Sequence, residues 1–190
     1  MVTNVPATHS QFHAVRFYQD RASLARLAAG FIGEGFIASM PAIVLATPAH
    51  ADAILAELRS RTFDVERLLA TGELIVLDAD AMLLRLMVDG TPNSRLFQQV
   101  MIPVIEKACN GRRDRVVRLY GEMVDVLWKA GETVAATRLE TLWNQLAQTH
   151  AFSLLCGYSM GNFYKDAAQE EIRMHHSHVL SDDGIATPFN

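Results

Sequence analysis

The chain has 190 residues, 50% of them hydrophobic, and a formal net charge of -4. That length suits one domain with a full core, and that hydrophobic share excludes a disordered chain. The acidic balance argues against a nucleic-acid surface, and two cysteines, Cys109 and Cys156, are too few for a disulfide framework.

Residues 1–12 read as a flexible lead, without the basic-then-apolar layout of a signal peptide. Ala14–Tyr18 is the first expected strand. Asp20 caps a helix with Leu24, Leu27, Ala28 and Phe31 at helical spacing, which Gly33 and Gly35 are expected to stop. Ala42–Ala46 is a continuous apolar run, the pattern of a strand covered on both faces. Thr47-Pro48 opens the next helix, which turns Ile54, Leu55 and Leu58 inward. Leu74–Leu77 is the third strand, ending at Asp78, and a short helix with Met82, Leu83, Leu86 and Met87 follows.

Gly90–Asn93 reads as a loop with a helix start. The helix after it carries Phe97, Val100, Met101, Val104 and Ile105, with a kink or restart expected at Pro103. Val116–Tyr120 is the fourth strand. A short helix over Glu122–Lys129 is closed by Gly131, and a longer one runs from Thr133 to Gln148 with Leu139, Leu142, Trp143 and Leu146 on one side. Phe152–Cys156 is the fifth strand. A tail helix over Lys165–Met174 and a last short strand at His178–Leu180 complete the expectation. Strands separated by helices predict an α/β domain, with a mostly parallel sheet and helices on both faces. No apolar run nears the roughly 18 residues that span a bilayer. The expected location is the cytoplasm, with no membrane partner.

One absence is informative. Where a nucleotide-binding α/β domain carries a Gly-rich loop ending in Lys-Ser/Thr, this chain has Phe17-Tyr18-Gln19-Asp20-Arg21-Ala22-Ser23-Leu24. No glycine there lets the backbone wrap a phosphate, and no lysine meets its charge.

Three segments carry a resemblance: Tyr120–Trp128, Arg138–Asn144 and Phe152–Tyr158. With the opening His13–Tyr18 and the closing His176–Val179, the chain resembles the MEDS family, the methanogen/methylotroph DcmR-type sensory domain. The likeness covers about 13–180 as one domain, leaving 181–190 as a tail. It implies a RecA/KaiC-like three-layer sandwich without the phosphate-binding loop. It also implies a sensory role, proposed for the family to be the detection of small hydrocarbon derivatives. In that alignment Val116–Glu122 takes the place of the strand that normally ends in a magnesium-binding aspartate. ATP hydrolysis is not expected, because phosphoryl transfer depends on the missing positioning groups. No fused output domain is seen, so the expected partner is a separate kinase or transcription regulator.

Ligands of open parallel sheets bind beyond the carboxyl ends of the strands. That rule selects Tyr18, Asp20, Thr47, His50, Asp78, Glu122, Cys156 and Tyr158 as candidate ligand-binding residues. Glu122 leads, beside Gly121 at a strand-to-helix turn. Asp20 and Asp78 also have a plain role as helix caps, and Cys156 as a buried thiol. Arg16 and Arg118, inside strands, are expected to form structural ion pairs with Glu122, Asp78 or Glu140. Glu140, Trp143 and Asn144 share one helix face and read as packing. His175, His176 and His178 lack the H-x-x-x-H spacing of a helical metal site, so no metal and no cofactor are expected.

The leading expectation is a non-catalytic sensor of a small organic molecule, with a homodimer left open. The alternatives are a degenerate KaiC/RecA-type module with residual ATP affinity, and a structural interaction protein with Trp128 or Trp143 at an oligomer seam. An enzyme ranks last, because no nucleophile–base pair appears at fixed spacing.

Overall fold

The computed structural model describes residues 12–110, 115–160, 174–180 and 186–188. Its first half runs β1 (His13–Tyr18), α1 (Arg21–Ile37), β2 (Ala42–Ala46), α2 (Pro48–Ser60), α3 (Val65–Thr71), β3 (Leu74–Asp78) and α4 (Ala79–Leu86). A two-residue hairpin follows, β4 (Met87–Val88) with β5 (Thr91–Pro92), then α5 (Ser94–Cys109). The second half is β6 (Val117–Gly121), α6 (Met123–Lys129), α7 (Thr133–Ala147), β7 (Phe152–Ser159), β8 (His178–Leu180) and β9 (Ala186–Pro188).

The main sheet has the order β3-β2-β6-β7-β1-β8-β9. All its neighbours are parallel except β9, which pairs antiparallel with β8 at the edge. Alternation along the strands feeds two cores. Ile43, Leu45, Leu119, Leu154 and Cys156 face α4 to α7, while Ala42, Val44, Tyr120 and Leu155 face α1 to α3. The domain is thus a three-layer α/β sandwich with helices on both faces. Trp143 lies in the first core, edge-on to Phe97 at 4.9 Å between ring centroids, and is 2% exposed. It is core, and does not form an oligomer seam; Trp128 is half-buried.

Several boundaries differ from the sequence expectation. Helix α1 passes through Gly33 and Gly35 to Ile37. Both glycines are buried, and a Cβ at Gly33 would meet the Phe63 ring at 2.8 Å. They permit close packing instead of stopping the helix. Helix α5 runs through Pro103 as one element, α3 is an additional helix, and Gly90–Pro92 belongs to the β4/β5 hairpin. Strand β7 continues past Cys156 to Ser159. There Gly157 leaves room for the Tyr120 hydroxyl, which would lie 2.6 Å from an added Cβ. The short strand at His178–Leu180 is present; the helix expected over 165–174 falls outside the described residues except for Met174.

Candidate functional site

Helices leaving β1 and β2 cover one face of the sheet, and those leaving β3 and β6 cover the other. Neighbouring strands β2 and β6 therefore send their chains to opposite sides, which makes the gap between their carboxyl ends a topological switch point. Glu122 fills this gap. Its carboxylate is 1% exposed and accepts from the Thr47 backbone N–H, from His50 Nδ1–H at 2.7 Å and from the Tyr120 hydroxyl at 3.1 Å. Burial opposes ionisation of Glu122, but the bonds from His50 and Thr47 outweigh it and hold its carboxyl below the ordinary range.

Beside it lies a second buried carboxylate, Asp125 in the first turn of α6. It accepts from the Tyr18 hydroxyl at 2.8 Å, the Ser159 backbone N–H at 3.0 Å and the Lys129 ammonium at 2.6 Å. Lys129 also donates to the Tyr18 hydroxyl at 3.1 Å. Burial and the adjoining Asp125 charge push the Tyr18 hydroxyl pKa up, so Tyr18 acts as a neutral donor. Helix α6 brings these groups together because Glu122, Asp125 and Lys129 fall at i, i+3 and i+7 on one face.

Two carboxylates, Asp20 and Glu122, stand at helix starts where an anion could otherwise bind. The first turn of α1 is capped by Asp20, whose side chain accepts from Ser23 N–H at 2.7 Å, while Ser23 reaches back to the Asp20 backbone. At the start of α2, Glu122 accepts from the N–H of Thr47, the residue before the helix. A phosphate at either helix end would compete with a fixed negative charge.

Beside β1 the surface opens instead into a cavity of about 450 Å³, lined by Arg16, Phe17, Tyr18, Gln19, Asp20, Ser23, Arg26, Leu27 and Met160. The volume lies within the range of small-molecule sites. Its walls are mainly polar, with the Arg16 and Arg26 guanidinium groups, Gln19, Asp20 and Ser23 beside the apolar Phe17, Leu27 and Met160.

A separate polar cluster is sealed between the sheet and α7. Glu140 of α7 is 2% exposed. It accepts from the Tyr158 hydroxyl at 2.6 Å and lies 3.3 Å from His13 Nε2 and 3.4 Å from His176 Nε2. Cys156 Sγ is 3.2 Å from His13 Nε2. Burial opposes the Glu140 charge, but His176 and His13 more than offset this, and its pKa is held at about 2. Burial, reinforced by Glu140, pushes the Cys156 thiol up. His13, Glu140, Cys156 and His176 each offer one donor atom, and these atoms all lie within 4.8 Å of one another.

The family model for MEDS, the MEthanogen/methylotroph, DcmR Sensory domain, matches residues 12–176. The chain belongs to the MEDS family. Its fold is similar to the crystal structure of a KaiC-like protein from the hyperthermophilic archaeon Pyrococcus horikoshii OT3, with a TM-score of 0.60 and 14% identity over 88% of this chain and 70% of that one. At that identity the likeness bears on the fold alone. No curated protein matches the chain.

In this MEDS domain the candidate residues divide into three groups. Tyr18, Thr47, His50 and Glu122 meet at the carboxyl edge, and Asp20 lines the neighbouring cavity. Asp78 stands exposed at the end of β3, where its side chain caps α4 through Asp80 and Ala81 N–H. Cys156 and Tyr158 lie within β7 and belong to the sealed cluster. Arg118 does not pair with Glu122, Asp78 or Glu140; its guanidinium lies over the Phe31 ring at 4.7 Å. Arg16 lines the cavity. Sequence reasoning missed Asp125, Lys129 and His13, and took Glu140 for packing. The readable signal was a carboxylate inside an apolar helical stretch, Met123-Val124-Asp125-Val126-Leu127. Among the described residues, no helix is long and apolar enough to cross a membrane.

Proposed function

We propose that this sensory domain is non-catalytic and detects a small organic molecule in the cavity beside β1. The ligand has an apolar part and one hydrogen-bond-accepting group. The observation that carries the reading is the cavity wall, where Phe17, Leu27 and Met160 stand with Arg16 and Arg26. A hydrocarbon derivative bearing an oxygen function has that chemistry. Tyr18 links the cavity to the buried Asp125 and its half-exposed partner Lys129. A ligand that favours one position of the Tyr18 ring would therefore favour one setting of α6, and a separate signalling protein would read it. The effect requires different affinities for the two settings.

The test is a thermal-shift screen of the whole chain with short alcohols, halogenated one-carbon compounds, small organic acids, ATP and ADP. The reading expects a saturable rise in Tm with an organic compound, reduced in Arg26→Ala and Tyr18→Phe. A rise with nucleotides alone would replace it with a KaiC-like nucleotide module. A rise unchanged in both variants would remove the ligand from this cavity.

A further inference from the structure

We propose that His13, Glu140, Cys156 and His176 bind one divalent transition-metal cation of the zinc type. The four side chains are buried and come from different parts of the fold: the first residue of β1, the middle of α7, β7, and the residues just before β8. Zinc holds nitrogen and oxygen at about 2.0–2.2 Å and thiolate sulfur at about 2.3 Å, so the edges of its tetrahedron are about 3.3–3.6 Å. The corresponding separations are 3.2 Å between His13 Nε2 and Cys156 Sγ and 3.3 Å between His13 Nε2 and Glu140 Oε2, while His176 Nε2 lies 3.4 Å from the carboxylate's other oxygen, Oε1. The edge from Cys156 Sγ to Glu140 Oε2 is 4.0 Å. All four donor atoms lie within 4.8 Å of one another, so ligation would draw the wider pairs together by roughly 1 Å at most.

The surroundings of His13 point the same way. Asn144 Nδ2–H donates to the His175 carbonyl at 2.9 Å, and only the amide nitrogen can make that bond. The amide oxygen is thereby turned toward His13 Nδ1, 2.9 Å away, and takes the ring's proton there. Nε2 is then the ring nitrogen that faces Cys156 and Glu140 and is the one a cation can ligate. A ligating histidine is normally held in this way by an oxygen acceptor on its other nitrogen. Charge balances as well: two neutral imidazoles, one thiolate and one carboxylate carry two negative charges, which a dication neutralises. The thiolate selects zinc, cobalt or copper over magnesium or calcium. With four protein ligands the site is closed, so its role is to fasten the segment at His176 to β1, β7 and α7.

The test is metal content and cobalt spectroscopy on the full chain, stripped with chelator and then offered zinc or cobalt chloride. The expected result is about one equivalent of zinc per chain and, with cobalt, a thiolate-to-metal charge-transfer band with strong tetrahedral d–d bands. Cys156→Ser should abolish the charge-transfer band. Asn144→Ala, which leaves all four ligands in place, should weaken affinity about 10–100-fold. Folded wild-type protein, checked by circular dichroism, that takes up no stoichiometric zinc and gives no band would overturn the proposal. So would an undiminished band in Cys156→Ser. The readout is independent of the cavity beside β1.

Discussion

Two polar clusters lie in one domain, one at the carboxyl edge of the sheet and one sealed under α7, and each is centred on buried carboxylate. At the carboxyl edge, Glu122 and Asp125 keep partial contact with solvent through their partners, since Lys129 is 43% and His50 16% exposed. Under α7, Glu140 is surrounded by groups that are themselves buried: His13, Cys156, Tyr158 and His176. The difference concerns what replaces water. At the edge, backbone N–H groups and a half-exposed ammonium satisfy the carboxylates, and the adjoining cavity leaves room for a ligand. In the interior only side chains do so, and every member depends on the others.

That contrast can be broken by mutation. Glu140→Ala should have the largest effect, a loss of about 3–5 kcal/mol in urea unfolding, because it removes the carboxylate that faces the buried His13 and His176. The acid limb of stability should come next. The Glu140 carboxyl is lower in the folded chain than in the unfolded one, so its contribution is complete above the unfolded value near 4.3–4.5 and fades as pH falls toward about 2. Urea midpoints between pH 5 and pH 2 should show that loss at about the level of a few kcal/mol, and Glu140→Gln should flatten it. If the wild-type slope persists in Glu140→Gln, the edge carboxylates carry the acid sensitivity instead.

Smaller effects are expected at the edge. Asp125→Ala should cost about 1–3 kcal/mol, since it leaves the Ser159 N–H and Tyr18 hydroxyl to find other partners near solvent. Tyr18→Phe should cost about 0.5–1.5 kcal/mol, as Asp125 keeps Lys129 and Ser159. Chemical denaturation of the two variants checks both. An Asp125→Ala loss equal to that of Glu140→Ala would erase the distinction between the clusters.

Much of the layout was legible because it is local. The apolar runs at Ala42–Ala46 and Leu74–Leu77 mark a buried strand and a half-buried edge strand, and the rule that ligands sit past strand ends led to Tyr18, Thr47, His50 and Glu122, which do converge. What failed was decided by tertiary contact. Gly33 reads as a helix stop until Phe63 is seen against it, and β7 runs on past Cys156 because Gly157 accommodates Tyr120. The sealed cluster was hidden for a different reason. His13 and His176 meet only because β8 pairs with the far side of β1, and strand order across a sheet leaves no mark on spacing. Glu140 reads as packing because it lies on the apolar face of α7; its burial is real, and its partners come from other strands.

The central claim is that the cavity beside β1 takes a small organic ligand. Its most direct test is amide chemical-shift mapping of isotope-labelled protein titrated with the compound that raises Tm in the screen. The account predicts saturable shifts concentrated at Arg16–Arg26, Ser159 and Met160, with a weaker response along α6 at Asp125–Lys129. Saturable shifts centred on another surface, with residues 16–26 unmoved, would contradict it.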